Sequence, residues 1–156
     1  MAKRILIAMD ESQNALRAVE YVARSFTPDH AVTLYHVIMD TAMICDLNSP
    51  ELIPYFVAQQ ITFCSLEEKK RNLVERAMEE AKARLVRAGF QEERISARME
   101  SKKKGVAGDI LAEARSGYQT IVMGRRGLSG VAEFLIGSVS QKILHNAGDI
   151  TVVLVG

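Results

Sequence analysis

The sequence predicts a doubly wound α/β protein on a parallel sheet, and three observations lead to that class. Short apolar and β-branched runs alternate with stretches of helical period along the chain, giving five strands. The first of these runs is apolar without interruption and bounded by charge, the pattern of a strand buried on both faces. The stretches between strands carry helices, and right-handed crossovers lay such helices against the two sides of a sheet.

The run Arg4-Ile-Leu-Ile-Ala-Met-Asp10 is the first strand. From Glu11 the period changes, and Ala15, Leu16, Val19, Val22, Ala23 and Phe26 recur every three to four residues. Ser12 is placed to cap that helix and Pro28 to follow it. Ala31 to Ile38, rich in β-branched and aromatic residues, makes the second strand. Residues 39–64 contain Pro50 and Pro54 and show no clean period, so they read as an irregular insertion with short helical turns around Pro54 to Ile61. Ser65 followed by Glu68 has the form of a capping box, and Leu66, Leu73, Val74, Ala77, Met78, Ala81, Leu85 and Val86 then line one face of the longest helix up to Gly89. Ile95 to Glu100 is the third strand, Asp109 to Ser116 a short helix stopped by Gly117, and Thr120 to Gly124 the fourth strand. Gly137 to Ala147 carries Val139, Ile143, Leu144 and Ala147 on one side, and Ile150 to Val155 is the fifth strand.

Composition bounds the function. At 156 residues, 48% hydrophobic and 25% charged, the chain is the size of one domain and far from disordered or fibrous compositions. Twenty basic residues against 19 acidic ones leave a net charge of +1, which provides no global field for nucleic acid or a membrane surface. An anion must therefore be bound locally. Lys102-Lys103-Lys104 has no aromatic residues interleaved and reads as a solvated loop. No stretch reaches the roughly 18 apolar residues of a membrane span. The apolar run Ile5 to Met9 is too short for a signal peptide. Cys45 and Cys64 stand without a CxxC or a His-rich neighbourhood, so neither a disulfide nor zinc is expected and a reducing cytosol fits.

In doubly wound sheets ligands bind beyond the carboxyl ends of the strands, where strand order reverses, which directs attention to Asp10, Val37 and Gly124. Directly after the fourth strand stands Gly124-Arg-Arg-Gly127-Leu-Ser-Gly130, and Gly137-Ser138 opens the following helix, giving Gly124-x2-Gly127-x9-Gly137-Ser138. Glycines let a backbone approach a ligand without Cβ interference, and the first N–H groups of a helix are unpaired and face an anion. Phosphate is the natural guest. No GxxxxGK[ST] occurs, and no GxGxxG follows the first strand, so this is neither of the two better-known phosphate loops.

The order of elements, Asp10 at the end of the first strand and the spaced glycines together resemble the universal stress protein family in its ATP-binding branch, over nearly the whole chain. The resemblance implies an open five-stranded sheet in order 3-2-1-4-5, a cytoplasmic homodimer paired through the last strand (Ile150 to Val155), and ATP in the crevice. It sets the triphosphate against Gly127, Gly137, Ser138 and Val139, with the Ser138 and Ser140 hydroxyls at hand. It places Asp10 by the ribose or the phosphate-bound Mg²⁺, Ala8 and Met9 beneath the nucleoside, the Val37 backbone at the adenine edge, and Met123 and Gly124 on the other wall. A carboxylate suits Mg²⁺, which prefers hard oxygen ligands. Arg125 and Arg126 replace the small residue and His that many relatives carry; the two either pair with phosphate or sit in solvent, and Arg125 is a candidate phosphate contact. The family role implied is a nucleotide-dependent stress or signalling dimer. The alternative is a slow ATP hydrolase or nucleotidyl-transfer enzyme using Asp10 and Mg²⁺. His30, His36 and His145 lack a partnered nucleophile and read as structural or exposed. A phosphoreceiver lacks support, since the third strand runs into Ser101-Lys102 and offers no acceptor Asp.

Overall fold

β1 (Arg4–Ala8) enters the interior at once, with Ile5, Leu6 and Ile7 completely buried. The computed structural model describes residues 2–125 and 136–156. After β1 come α1 (Gln13–Ser25), β2 (Ala31–Ile38), the one-turn α2 (Ala42–Cys45), α3 (Pro54–Arg87), a 3-10 turn at Glu92–Arg94 and β3 (Ile95–Ser101). α4 (Val106–Ala114), β4 (Thr120–Gly124), α5 (Ser138–Asn146) and β5 (Thr151–Val155) complete the order. All five strands pair in parallel as β3-β2-β1-β4-β5, the expected arrangement.

Alternation along β1 divides the core in two. Ile5 and Ile7 face α1 and α3, packing with Val19, Val22, Val74 and Leu85. Leu6 faces α4 and α5, packing with Ile110, Leu111 and Ile143. Each such side chain contributes roughly 1.5–3 kcal/mol by leaving water, so both faces of the sheet are stabilised by helices, as an all-parallel sheet requires. α1 starts where the sequence places it: Ser12 caps it, its Oγ accepting from the Ala15 N–H at 3.3 Å.

The insertion and the long helix differ from expectation. α3 begins at Pro54, where a missing N–H is harmless, so Ser65 lies inside the helix and caps nothing. Its 34 residues span about 50 Å, yet its buried residues are only Val74, Met78, Ala81 and Leu85. The first half of α3 lies outside the core and therefore shows no apolar period to read. A second correction follows from the same geometry. Because α3 runs back past α2, Cys64 meets Cys45 and the two form a disulfide, contrary to the expectation of none. The reading of a reducing compartment from cysteine usage loses its premise.

α4 starts at Val106, ahead of the expected Asp109. Asp109 is instead a buried acceptor for the N–H groups of Lys103 at 2.7 Å and Lys104 at 2.9 Å, while the three lysines stay exposed. β5 occupies one sheet edge.

Candidate functional site

Strand order reverses between β1 and β4, and a crevice of about 360 Å³ opens there beyond the carboxyl ends of the strands. That volume falls within the range of about 300–1,000 Å³ usual for small-molecule sites. Ala8 and Met9 of the β1 end, Tyr35 to Val37 of β2, and Met123 and Gly124 of β4 form its floor. Asp10 to Ser12 and Ala15 supply one wall at the start of α1, and Gly137 to Ser140 supply the other at the start of α5. Val106 and Ile110 of α4 and Lys70 of α3 close the sides.

The wall at α1 is ordered by its own hydrogen bonds. Asp10 Oδ1 accepts from the Ser12 N–H at 2.8 Å and from the Ser12 hydroxyl. Ser12 thus ties the carboxylate to the helix cap. Glu11 Oε2 is buried in the crevice wall with no hydrogen-bond partner among the described residues, a condition that favours a ligand donor or cation beside it.

At the opposite wall Gly137 is the residue before α5, with φ −59°, a conformation open to any amino acid. Glycine is therefore not needed there for its backbone conformation. Its N–H donates to the Arg125 carbonyl at 3.0 Å, bringing the two ends of the glycine loop together. Ser140 is 2% exposed and its Oγ donates to the Gly124 carbonyl at 3.2 Å, so that hydroxyl's proton is committed to the fold. Gly124 itself has no room for a side chain: a Cβ there would lie 2.7 Å from the Asn14 Cβ.

Two floor residues have shifted titration. Burial pushes the His36 imidazole below its ordinary range, opposed by the bond of Nδ1 to the Met9 carbonyl at 2.7 Å, and Lys70 lowers it further. Burial, with Glu100 and Glu113 nearby, pushes the Tyr35 phenol up to about 12. Both rings are therefore uncharged at neutral pH.

Of the residues singled out in the sequence, Ala8, Met9, Asp10, Val37, Met123, Gly124, Gly137, Ser138, Val139 and Ser140 come together at this crevice. Arg125 stands apart from its lining; its N–H donates to the Val155 carbonyl at 2.8 Å, and its side chain lies against Gly156. Gly127, Gly130 and Arg126 lie outside the described residues. Glu11, Tyr35, His36 and Lys70 were not anticipated. The β2 pair was within reach of the same strand-end rule that selected Val37, whereas Lys70 reaches the crevice from a helix distant in sequence and carries no local signal. Among the described residues no group of three or more His, Cys, Asp or Glu is arranged to hold a metal by itself.

An open parallel sheet with a ligand-sized crevice at its switch point, flanked by the N-terminus of a helix, defines a doubly wound, Rossmann-like α/β protein. Residues 1–155 match the Universal stress protein family, and the chain belongs to that family. It is 30% identical over 145 residues to Universal stress protein YxiE of Bacillus subtilis (strain 168), covering 92% of each chain. Its fold is similar to that of universal stress protein UspA from Lactobacillus plantarum, with a TM-score of 0.69 at 18% identity over 99% of this chain and 97% of that one. It is similar also to a universal stress protein solved in complex with cAMP, with a TM-score of 0.64 at 18% identity over 99% and 97% of the two chains.

Proposed function

We propose that this protein binds ATP with Mg²⁺ in the crevice and acts as a nucleotide-dependent stress or signalling homodimer in the cytoplasm. One observation carries the reading: the glycine-spaced residues Gly124, Gly137 and Ser138 meet Asp10 at a single crevice at the switch point. Helix N–H groups and backbone at Gly137 to Val139 suit a polyphosphate without any excess of basic residues. The donor set suits Mg²⁺, which commonly takes one or two carboxylates together with phosphate oxygens. Asp10 supplies one carboxylate, and the unpartnered Oε2 of Glu11 offers a second. Bound there, the ion would neutralise phosphate charge. The relative solved with cAMP supports an adenine nucleotide as the class of ligand.

Equilibrium binding of labelled ATP with Mg²⁺, with cAMP as competitor, tests this reading. Because Gly137 has an unstrained φ, Gly137→Val reads ligand approach and not backbone strain. It is expected to weaken ATP binding by at least tenfold, about 1.4 kcal/mol, as is Gly127→Val. Unchanged affinity in both variants would remove the site assignment, and tighter binding of cAMP than ATP would replace the triphosphate by a cyclic monophosphate.

Hydrolysis is the second reading, favoured by the carboxylate of Asp10 in the crevice. Steady-state turnover on the order of 1 s⁻¹ or more, abolished by Asp10→Ala, would make the protein an ATPase and not a binding protein.

A further inference from the structure

Beyond Val37 a second cavity of about 500 Å³ lies between the end of β2 and the segment that carries α2 and the first half of α3. It shares His36, Val37 and Lys70 with the crevice. Cys45 and Cys64 stand in its wall, each only partly buried, so their disulfide is within reach of a small molecule. Packing holds this segment weakly. α2 has no buried residue, α3 has none before Val74, and Met43, Tyr55 and Ile61 are 87%, 72% and 65% exposed. Besides the disulfide, α3 is tied to the α2 segment by Gln60 Nε2, which donates to the carbonyls of Ile44 and Leu47. The same cavity is lined by both signs of charge, Lys70 and Arg71 with Glu67 and Glu68.

We propose that the Cys45–Cys64 disulfide is a thiol-exchange site for small zwitterionic thiols of the amino-acid or short-peptide class, and that its state sets how firmly Lys70, the residue of α3 that lines both cavities, is held at the crevice. Lys70 and Arg71 would receive the thiol's carboxylates, and Glu67 and Glu68 its ammonium group. A thiolate RS⁻ attacks one cysteine sulfur; the S–S bond breaks, a mixed disulfide forms, and the other cysteine leaves as a thiolate that takes a proton. A second RS⁻ attacks the mixed disulfide and frees the first cysteine. In all, two RSH become RSSR, two electrons pass to the protein and both cysteines end as thiols. Partly exposed disulfides are the exchangeable kind. Reduction removes the covalent tie across a segment with no core anchor, so the wall near Lys70 loosens and bound ligand escapes faster. The exchange rests on the disulfide and cavity alone; only the ligand whose affinity changes rests on the ATP reading.

The test uses the full chain, oxidised and reduced. Glutathione, as a zwitterionic thiol, and 2-mercaptoethanol, as a neutral one, are each rated against their own reaction with a small aromatic disulfide. Glutathione is expected to exchange severalfold faster in the folded protein, and Arg71→Gln is expected to reduce that preference. Reduction, and separately Cys45→Ser with Cys64→Ser, is expected to speed protease cleavage within residues 39–53 and to weaken Mg²⁺·ATP binding about tenfold, an ordinary size for coupling between two sites. Exchange only after denaturation, no preference for glutathione, or equal cleavage and equal affinity in both redox states would overturn the proposal. If ATP binds neither state while exchange and cleavage behave as expected, the thiol site stands and the ATP reading fails.

Discussion

His36 Nδ1 lies 2.7 Å from the carbonyl oxygen of Met9, joining the ends of β2 and β1 across the crevice floor. The Met9 N–H donates to the Tyr35 carbonyl at 2.7 Å, so the junction is bonded twice. A carbonyl only accepts, which places the proton of the neutral imidazole on Nδ1 and leaves Nε2 as an acceptor. The residue thus holds two strand ends together in an environment that opposes its charging.

That environment makes stability fall with acid. The folded-state pKa of His36 is depressed by burial, so below the ordinary value of about 6.5 the unfolded chain takes up a proton that the folded chain refuses. Stability is expected to be full above that value and to decline as pH falls through it towards the folded pKa. Urea unfolding of wild type and His36→Gln at pH 7.5 and pH 5.5 checks this: the wild type should lose more between the two than the variant. Equal losses would show that the ring titrates freely in the fold.

Gly124 sits where β4 meets the start of α1. An added Cβ would lie 2.7 Å from the Asn14 Cβ and 3.1 Å from its carbonyl carbon and oxygen. Backbone cannot move aside as the tip of a flexible side chain can, so the first turn of α1 must shift. Gly124→Ala is expected to lower unfolding free energy by about 1–3 kcal/mol, the usual cost of overpacking. The same shift moves the wall that holds Asp10 and Ser12, so ATP affinity should fall with it. Retention of both stability and affinity would show that this junction is slack.

The proposed dimer uses the open edge at β5. The Thr151 N–H donates to the Gln119 carbonyl, and the Val155 carbonyl accepts from Arg125. Alternation then turns Thr151, Val153 and Val155 towards β4 and leaves the N–H and C=O of Val152 and Leu154 facing outward. Among the described residues no strand pairs with that edge, which leaves it available for pairing. Val152→Pro removes one outward donor without touching the ladder to β4. Sedimentation should show a wild-type dimer at micromolar concentration and a monomeric variant with an unchanged circular dichroism spectrum. A variant that remains dimeric would move the interface elsewhere.

Elements that bury a face are legible in the order of their residues. β2 and β4 have their expected bounds, Ala31–Ile38 and Thr120–Gly124, because a strand packed on both sides must be apolar along its length. The α1 cap at Ser12 is legible for a local reason, a side-chain oxygen accepting from an N–H three residues ahead. The first half of α3 is not, since a helix without a buried face has no apolar period. The strand-end residues of the crevice can be selected because topology alone brings strand ends together, whereas Lys70 and the Cys45–Cys64 pair depend on the path of a 34-residue helix.

Residues near one another along the chain therefore encode the alternation of strands and helices, the two-faced burial of the sheet and the glycine spacing after β4. Contacts between distant segments settle the rest: α3 runs back over α2 to close a disulfide, His36 bonds the end of β1, and Glu11 and Lys70 line the same crevice. Those relationships are set by strand register and by the length and direction of a helix, and local periodicity reports what a residue is buried by only when the covering surface repeats.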